Sequence, residues 1–321
     1  MDIKPALSRA LPIALSLGLS ISAASAVAED GTSGSVPESM NTCEIVAAQY
    51  EPALASATST PMASPVSSPM ASPVASPVVE ADPLQDDLTA ASNSILGCMS
   101  ANDLDGLTLN TAGEFRGAWL GVGGSVSDVD LATLLQLMPV LPYELVSVSN
   151  ASVEGDTATA TVEYLQGRQL HKATWTFKLT VVEDENVWQA QTQALQAPEA
   201  PADAATTDLT VADGSFTFSE TELAEGDIVI NVTNNGKQPH EVLIVRAPEG
   251  TEAQDFAAAP TGIPTGGTFI AQATIPAGSG GTIVLSDLRA GTYTVVDLLP
   301  DAAGLPNVSS GMLTTFTVKK P

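Results

Sequence analysis

Gly226-Asp-Ile-Val-Ile-Asn-Val-Thr-Asn-Asn-Gly-Lys-Gln-Pro-His-Glu-Val-Leu-Ile-Val-Arg246 decides the reading of the fold. It divides into a strand, a polar turn and a second strand. Ile228, Ile230 and Val232 alternate with less apolar neighbours, the period of a strand buried on one face. Asn234-Asn-Gly236 is turn chemistry, and Pro239 ends the loop. Val242–Val245 is a short continuous apolar run, which predicts a strand covered on both faces. His240 stands where that second strand begins.

Further on, Leu288-Arg-Ala-Gly-Thr-Tyr293 leads into a strand over Tyr293–Leu299. Asn307-Val-Ser-Ser-Gly-Met312 follows, and a strand over Met312–Val318 closes the chain. Together these segments resemble a cupredoxin-like domain, the blue-copper β-sandwich, and in particular its secreted bacterial members. The resemblance implies a Greek-key sandwich. Within it, Leu288-x-Ala-Gly-x-Tyr293 resembles the tyrosine corner, where a phenol bonds back to the backbone. Members of the family hold copper with a first His, a Cys, a second His and a Met shortly after it. Here His240 fits the first His and Met312 the Met, whereas the Cys position falls on Asp297 and the second His on Asn307.

Type 1 copper needs a thiolate and two imidazoles, and residues 207–321 contain one His and no Cys. The resemblance thus implies the fold while the residues contradict the chemistry, and neither copper nor another cofactor is expected. Asp297 shares strand parity with Tyr293 and Val295. His240, Asp297, Asn307 and Met312 are therefore expected to meet as a vestigial metal site at one end of the sandwich, with the His240 and Asp297 side chains close together.

The 321 residues suffice for two domains and their linkers. Residues 1–28 read as a secretory signal peptide: Lys4 and Arg9, an apolar run from Ala10 to Ile21, then Ala26-Val-Ala28. The expected address is outside the cytoplasm of a bacterium after cleavage near Ala28. With 37 acidic against 11 basic residues, the chain has a formal net charge of -26. Such a chain is repelled by phosphate backbones and anionic lipid surfaces, which argues against nucleic-acid partners. No later run of about 20 apolar residues offers a transmembrane anchor. Cys43 and Cys98 read most simply as a disulfide in an exported chain, with two free thiols or pairing between chains as the alternatives.

Residues 29–83 form a low-complexity Pro/Ala/Ser linker. Pro61, Pro65, Pro69, Pro73 and Pro77 recur at every fourth position and block helix, which predicts an extended spacer. Within this segment Cys43–Leu54 reads as a short helix. Asp82-Pro-Leu-Gln85 then opens a helix with a capping Asp, a proline in the first turn and Gln three residues on from the cap. Leu84, Leu88, Ala91, Ile95 and Met99 follow at helical spacing. Further helices are expected over Asp103–Asn110 and from Ser127 to Met138, where Pro139 stops the second. The period then changes to two, and strands are expected over Tyr143–Asn150, Thr157–Leu165, His171–Val182 and Val187–Gln193.

Helices followed by an antiparallel meander imply an α+β domain. By element order and hydrophobic pattern, with Trp188 on its last strand, residues 84–196 resemble the nuclear transport factor 2-like, or polyketide-cyclase-like, cone. The fold class is therefore two domains: an α+β cone at 84–196, a short linker at 197–206, and an all-β cupredoxin-like sandwich at 207–321. Residues 249–275, rich in Ala, Gly and Pro, read as a long crossing loop with one helical turn near Glu252–Ala257.

Cones of this family often bind small apolar molecules, and some are isomerases, hydrolases or cyclases that use a carboxylate or His inside. That resemblance makes His171, Tyr164, Trp175, Phe177 and Trp188 the candidate pocket, with Asp103 and Asp105 as candidate acids. The same aromatics, with Tyr143, also read as core packed against helices. Gly121-Val-Gly-Gly124 has no surrounding P-loop Lys, and two His in the chain leave little room for a Ser-based triad. The expected function is an exported, non-catalytic binding or scaffold protein that partners another exported protein or a small molecule. Two alternatives stand beside it: metal binding or electron transfer through His240 and Met312, and a small-molecule or enzymatic role around His171.

Overall fold

The computed structural model describes residues 43–50, 83–182, 184–301 and 303–320. The expected signal peptide, the proline repeat and the capping Asp82 lie outside the described residues. The described residues belong to one compact unit.

Four helices come first: α1 (Pro83–Ala101), α2 (Leu104–Asn110), α3 (Gly113–Trp119) and α4 (Asp128–Leu135). In α1, Leu84, Leu88, Ala91, Ile95 and Met99 are all buried, as their spacing predicts. Asp103 caps α2 by accepting from Gly106 N, and Ser127 caps α4 by accepting from Asp130 N. Helix α3 has no counterpart in the sequence reading, because its two glycines dilute the helical pattern. Gly117 is there for close approach: a Cβ at that position would lie 1.8 Å from Gly124 O. Cys43–Tyr50 is extended rather than helical. Its amides find partners elsewhere, with Ala48 N donating to Asn186 O and the Gln49 and Tyr50 amides both donating to Asp87 Oδ2. Cys43 and Cys98 are joined in a disulfide.

Strands β1 (Tyr143–Glu154), β2 (Thr157–Gln166), β3 (Gln169–Val182) and β4 (Glu185–Gln196) make an antiparallel meander. Ala173, Trp175 and Phe177 of β3 share a core with α1 and Phe115 of α3. Strand β5 (Ala205–Ala212) takes up the last two residues of the expected 197–206 linker, and β6 (Ser215–Phe218), β7 (Glu222–Ala224), β8 (Gly226–Asn234) and β9 (His240–Arg246) follow. The expected crossing loop at 249–275 holds α5 (Ala253–Ala258) and, against expectation, a strand, β10 (Thr268–Ile275). Its Phe269, Ile270 and Ala271 are buried, but Gly, Pro and Ala neighbours hide so short an apolar run. Strands β11 (Gly280–Leu288), β12 (Gly291–Val296) and β13 (Leu313–Lys319) complete the chain, with a 3₁₀ turn at Asn307–Ser310.

One sheet runs β10-β9-β12-β13-β7 and faces the β11-β8-β5-β6 run of the other. Ile228, Ile230, Ile283 and Leu285 on one side meet Val242, Ile244, Val295 and Phe316 on the other, giving a mostly β two-layer sandwich. Tyr293 Oη donates to Arg289 O at 2.7 Å, the back-bond of a tyrosine corner. His240–Val245 are all buried, because β9 is covered twice. Val242 and Ile244 face the sandwich interior, whereas Leu243 and Val245 join the core formed with α5 and the N-terminal helices and meander. Each such side chain contributes about 1.5–3 kcal/mol by leaving water.

The meander and the sandwich are joined through the β2–β3 turn. Arg168 N donates to Ile270 O and Ser286 N to Arg168 O, both at 2.8 Å, and Leu285 pairs with Gln169. The turn thereby closes the edges of β10 and β11 that would otherwise be open to pairing with another chain. Among the described residues, no helix is long and apolar enough to cross a membrane.

Candidate functional site

The turn between β8 and β9 places His240, and a buried Asn builds that turn. Asn234 Nδ2 donates to Gln238 O and Ile275 O, both at 2.9 Å, while its Oδ1 accepts from Gly236 N at 2.8 Å. The loop is thus held in one shape by a side chain that replaces the missing ladder bonds. His240 Nδ1 lies 2.7 Å from Asp297 Oδ2, and its Nε2 lies 3.2 Å from Oδ1 of Asp213, on the β5–β6 turn. Gly236 is required beside this ring: a Cβ there would lie 2.5 Å from Asp213 Oδ1 and 2.9 Å from His240 Nε2.

Asp297 follows the last residue of β12 and is 0% exposed. Asn307 Nδ2 donates to the same Oδ2 at 2.9 Å, and Leu299 N donates to Oδ1 at 2.9 Å. The backbone ties the segment together, with Val308 N donating to Asp297 O, Met312 N to Asn307 O and Asp297 N to Met312 O. The structure therefore brings His240, Asp297 and Asn307 into direct contact. Met312 joins them through its main chain, and its side chain is buried in the sandwich core with Val242, Tyr293 and Phe316.

Sequence reasoning named Asn234 only as part of the turn and did not name Asp213. Asn234 was legible as turn chemistry, but its role depends on β10, and Asp213 lies 27 residues from its partner. The Lys237 amide, followed by the His240 ring, holds the Asp213 carboxyl below its ordinary value.

This donor set does not fit copper of the blue type. It offers one imidazole with both nitrogens facing carboxylate oxygens, and a carboxylate whose oxygens already accept from His240, Asn307 and Leu299 N. It lacks the thiolate and the second imidazole. Among the described residues, no group of three or more His, Cys, Asp or Glu is arranged to hold a metal ion.

The second candidate set is an aromatic core. Tyr164 stacks on His171 with ring centroids 5.2 Å apart, and Trp175 meets Phe115 edge-on at 4.9 Å and Phe177 at 6.0 Å. Trp188 packs on Tyr50 at 6.2 Å. Trp119 Nε1 and Gln166 Nε2 both donate to Tyr143 Oη, yet burial still pushes that phenol up to about 12. Burial and the neighbouring Tyr143 raise Tyr164 as well. Among the described residues His171 Nε2 is buried without a hydrogen-bond partner, and burial pushes the ring down to about 4. Asp103 is committed to its helix cap and Asp105 lies in the exposed first turn of α2. An acid–base pair needs a carboxylate beside the imidazole, and among the described residues no carboxylate bonds to His171.

No family model and no curated protein matches this chain. Solved structures similar to part of it include auracyanin B, at 21% identity over 38% of this chain and 93% of that one, with a TM-score of 0.29. A sodium dithionite-reduced auracyanin from the photosynthetic bacterium Roseiflexus castenholzii is 20% identical over 38% of this chain and 99% of that one, with a TM-score of 0.27. A multicopper oxidase from Pediococcus acidilactici is 8% identical over 51% of this chain and 39% of that one, with a TM-score of 0.23.

Proposed function

We propose that this chain is an exported, non-catalytic binding protein. Its C-terminal part is a cupredoxin-like sandwich in which a hydrogen-bonded network stands where copper would be. Residues 84–196 are then a nuclear transport factor 2-like cone, supported by the order of helices and meander strands. The observation that carries the reading is the Asp297 carboxylate, fully buried and accepting from both His240 and Asn307. Such a network fixes the end of the sandwich and sets a carboxylate oxygen against each imidazole nitrogen, which favours rigidity over an electron-transfer centre. The Cys43–Cys98 disulfide supports an oxidising, extracytoplasmic address.

Metal handling, the redox alternative, would need His240 to let go of a carboxylate at each ligation event. Metal analysis of the purified chain, beside a His240→Ala control, tests the reading. The expected result is a colourless protein with far less than one metal ion per chain, unchanged by the substitution. One copper per chain, lost in His240→Ala, would overturn it.

A further inference from the structure

Glu241 follows His240 on β9 and so points to the opposite face of the sheet. There it borders a cavity of about 400 Å3, within the size range of small-ligand sites. Leu243, Phe256, Phe269 and Leu298 supply apolar wall, and Leu137, 62% exposed, stands on the solvent side. Glu241 itself is 7% exposed.

Its carboxylate is held in place. Gln272 Nε2 donates to Oε1 at 2.6 Å and Leu298 N donates to Oε2 at 3.2 Å. Gln272 is fixed in turn, its backbone N donating to Gln169 Oε1 at 2.9 Å. A carboxylate has about four lone-pair sites, so each oxygen keeps one for a further donor. Among the described residues, no Lys, Arg or His forms an ion pair with Glu241. A carboxylate this deeply buried normally has a cationic partner. A carboxylate buried in this way carries a desolvation cost that a cation in the cavity would offset.

We propose that this cavity binds a small organic cation, a primary or secondary ammonium on an apolar body, with Glu241 as its counter-ion. The ammonium N–H groups meet the two unused carboxylate lone pairs, and the body lies against Leu243, Phe256 and Phe269. The proposal rests on the binding role given above and supplies its ligand class. It does not depend on the state of the His240 network, which lies on the other face of β9.

The test is calorimetry on the full mature chain, with 2-phenylethylamine as probe and 2-phenylethanol as its neutral counterpart. A chain of net charge -26 attracts any ammonium diffusely, so the comparison of variants decides. The expected result is one amine per chain, weakened about tenfold or more in Glu241→Gln, with the alcohol bound weakly and equally by both proteins. Leu137→Arg, at an exposed position that does not threaten folding, should weaken the amine to a similar degree by placing a cation at the entrance. Equal amine affinity in wild type, Glu241→Gln and Leu137→Arg would overturn the proposal. So would an alcohol bound as tightly as the amine, or no amine heat at about 10 mM, a concentration at which a fragment of this size should register. Copper measured on the same samples keeps the two readings apart: a metal-free chain that ignores the amine refutes the cavity alone.

Discussion

His240→Leu tests the energetics of the network where they are largest. The substitution removes the imidazole and leaves the Asp297 carboxylate buried, with Asn307 and Leu299 N as its remaining donors. The side chains of His240 and Asp297 are 2% and 0% exposed, so solvent cannot take over the lost bond. Removing one donor from a buried carboxylate costs about 1–3 kcal/mol or more, because the charge stays in the interior short of a partner. Replacing both members with apolar groups of similar volume is often neutral or stabilising. His240→Leu/Asp297→Leu should therefore recover most of the loss, short of the bonds Asn307 and Leu299 forfeit. Asp213, whose side chain is 42% exposed, adds little. The assay is urea unfolding of wild type, both single variants and the double variant, read as a double-mutant cycle. A loss below about 1 kcal/mol in His240→Leu, or single effects that simply add, would refute the reasoning.

Three further outcomes follow from the same structure. The His171 ring is held neutral, with its folded value lowered from 6.5 to about 4. Its contribution is intact above pH 6.5 and is lost as pH falls toward 4, in total about 3 kcal/mol; the difference in urea midpoint between wild type and His171→Phe should change over that interval and be flat above it. The disulfide closes a 55-residue separation, so Cys43→Ser/Cys98→Ser should lower stability by about 4 kcal/mol, measured by unfolding against the oxidised parent. Gly236→Ala should push the β8–β9 turn away from Asp213 and weaken the His240–Asp213 contact, costing about 1–3 kcal/mol by overpacking; a thermal midpoint equal to wild type would contradict that account of the glycine.

What the chain discloses in sequence is what it builds locally. Helices over Asp103–Asn110 and from Ser127 read from local spacing, and each is held by a cap that spans three residues, Asp103 to Gly106 and Ser127 to Asp130. Tyr293 reads as a corner because its acceptor, Arg289, is four residues away. The unbroken apolar run Val242–Val245 announces a strand with two covered faces, and it has them. His240, Asp297, Asn307 and Met312 could be aligned with one another only through the cupredoxin resemblance, since 57 residues separate the imidazole from its carboxylate.

The rest depends on surfaces that a single stretch does not carry. Strand β10 is a strand because β9 pairs with it and Arg168 caps it, not because Thr268–Ile275 alternates. Glu241 looks like an ordinary polar residue at a strand start. Its burial comes from α5, the connection after α4 and Leu298, which are distant in sequence and converge only in the fold. His171 and its aromatic neighbours share a face as the pattern predicts, and whether such a face is core or pocket is set by what α1 and α3 lay upon it.

The chain contains two histidines, so its imidazole nitrogens can be followed one by one by NMR on protein labelled with 15N-histidine. On addition of one equivalent of copper, the His240 ring signals should stay where they are, with a slowly exchanging Nδ1 proton held by Asp297. Selective displacement or broadening of the His240 signals at that equivalence would show a free imidazole ligand and contradict the account.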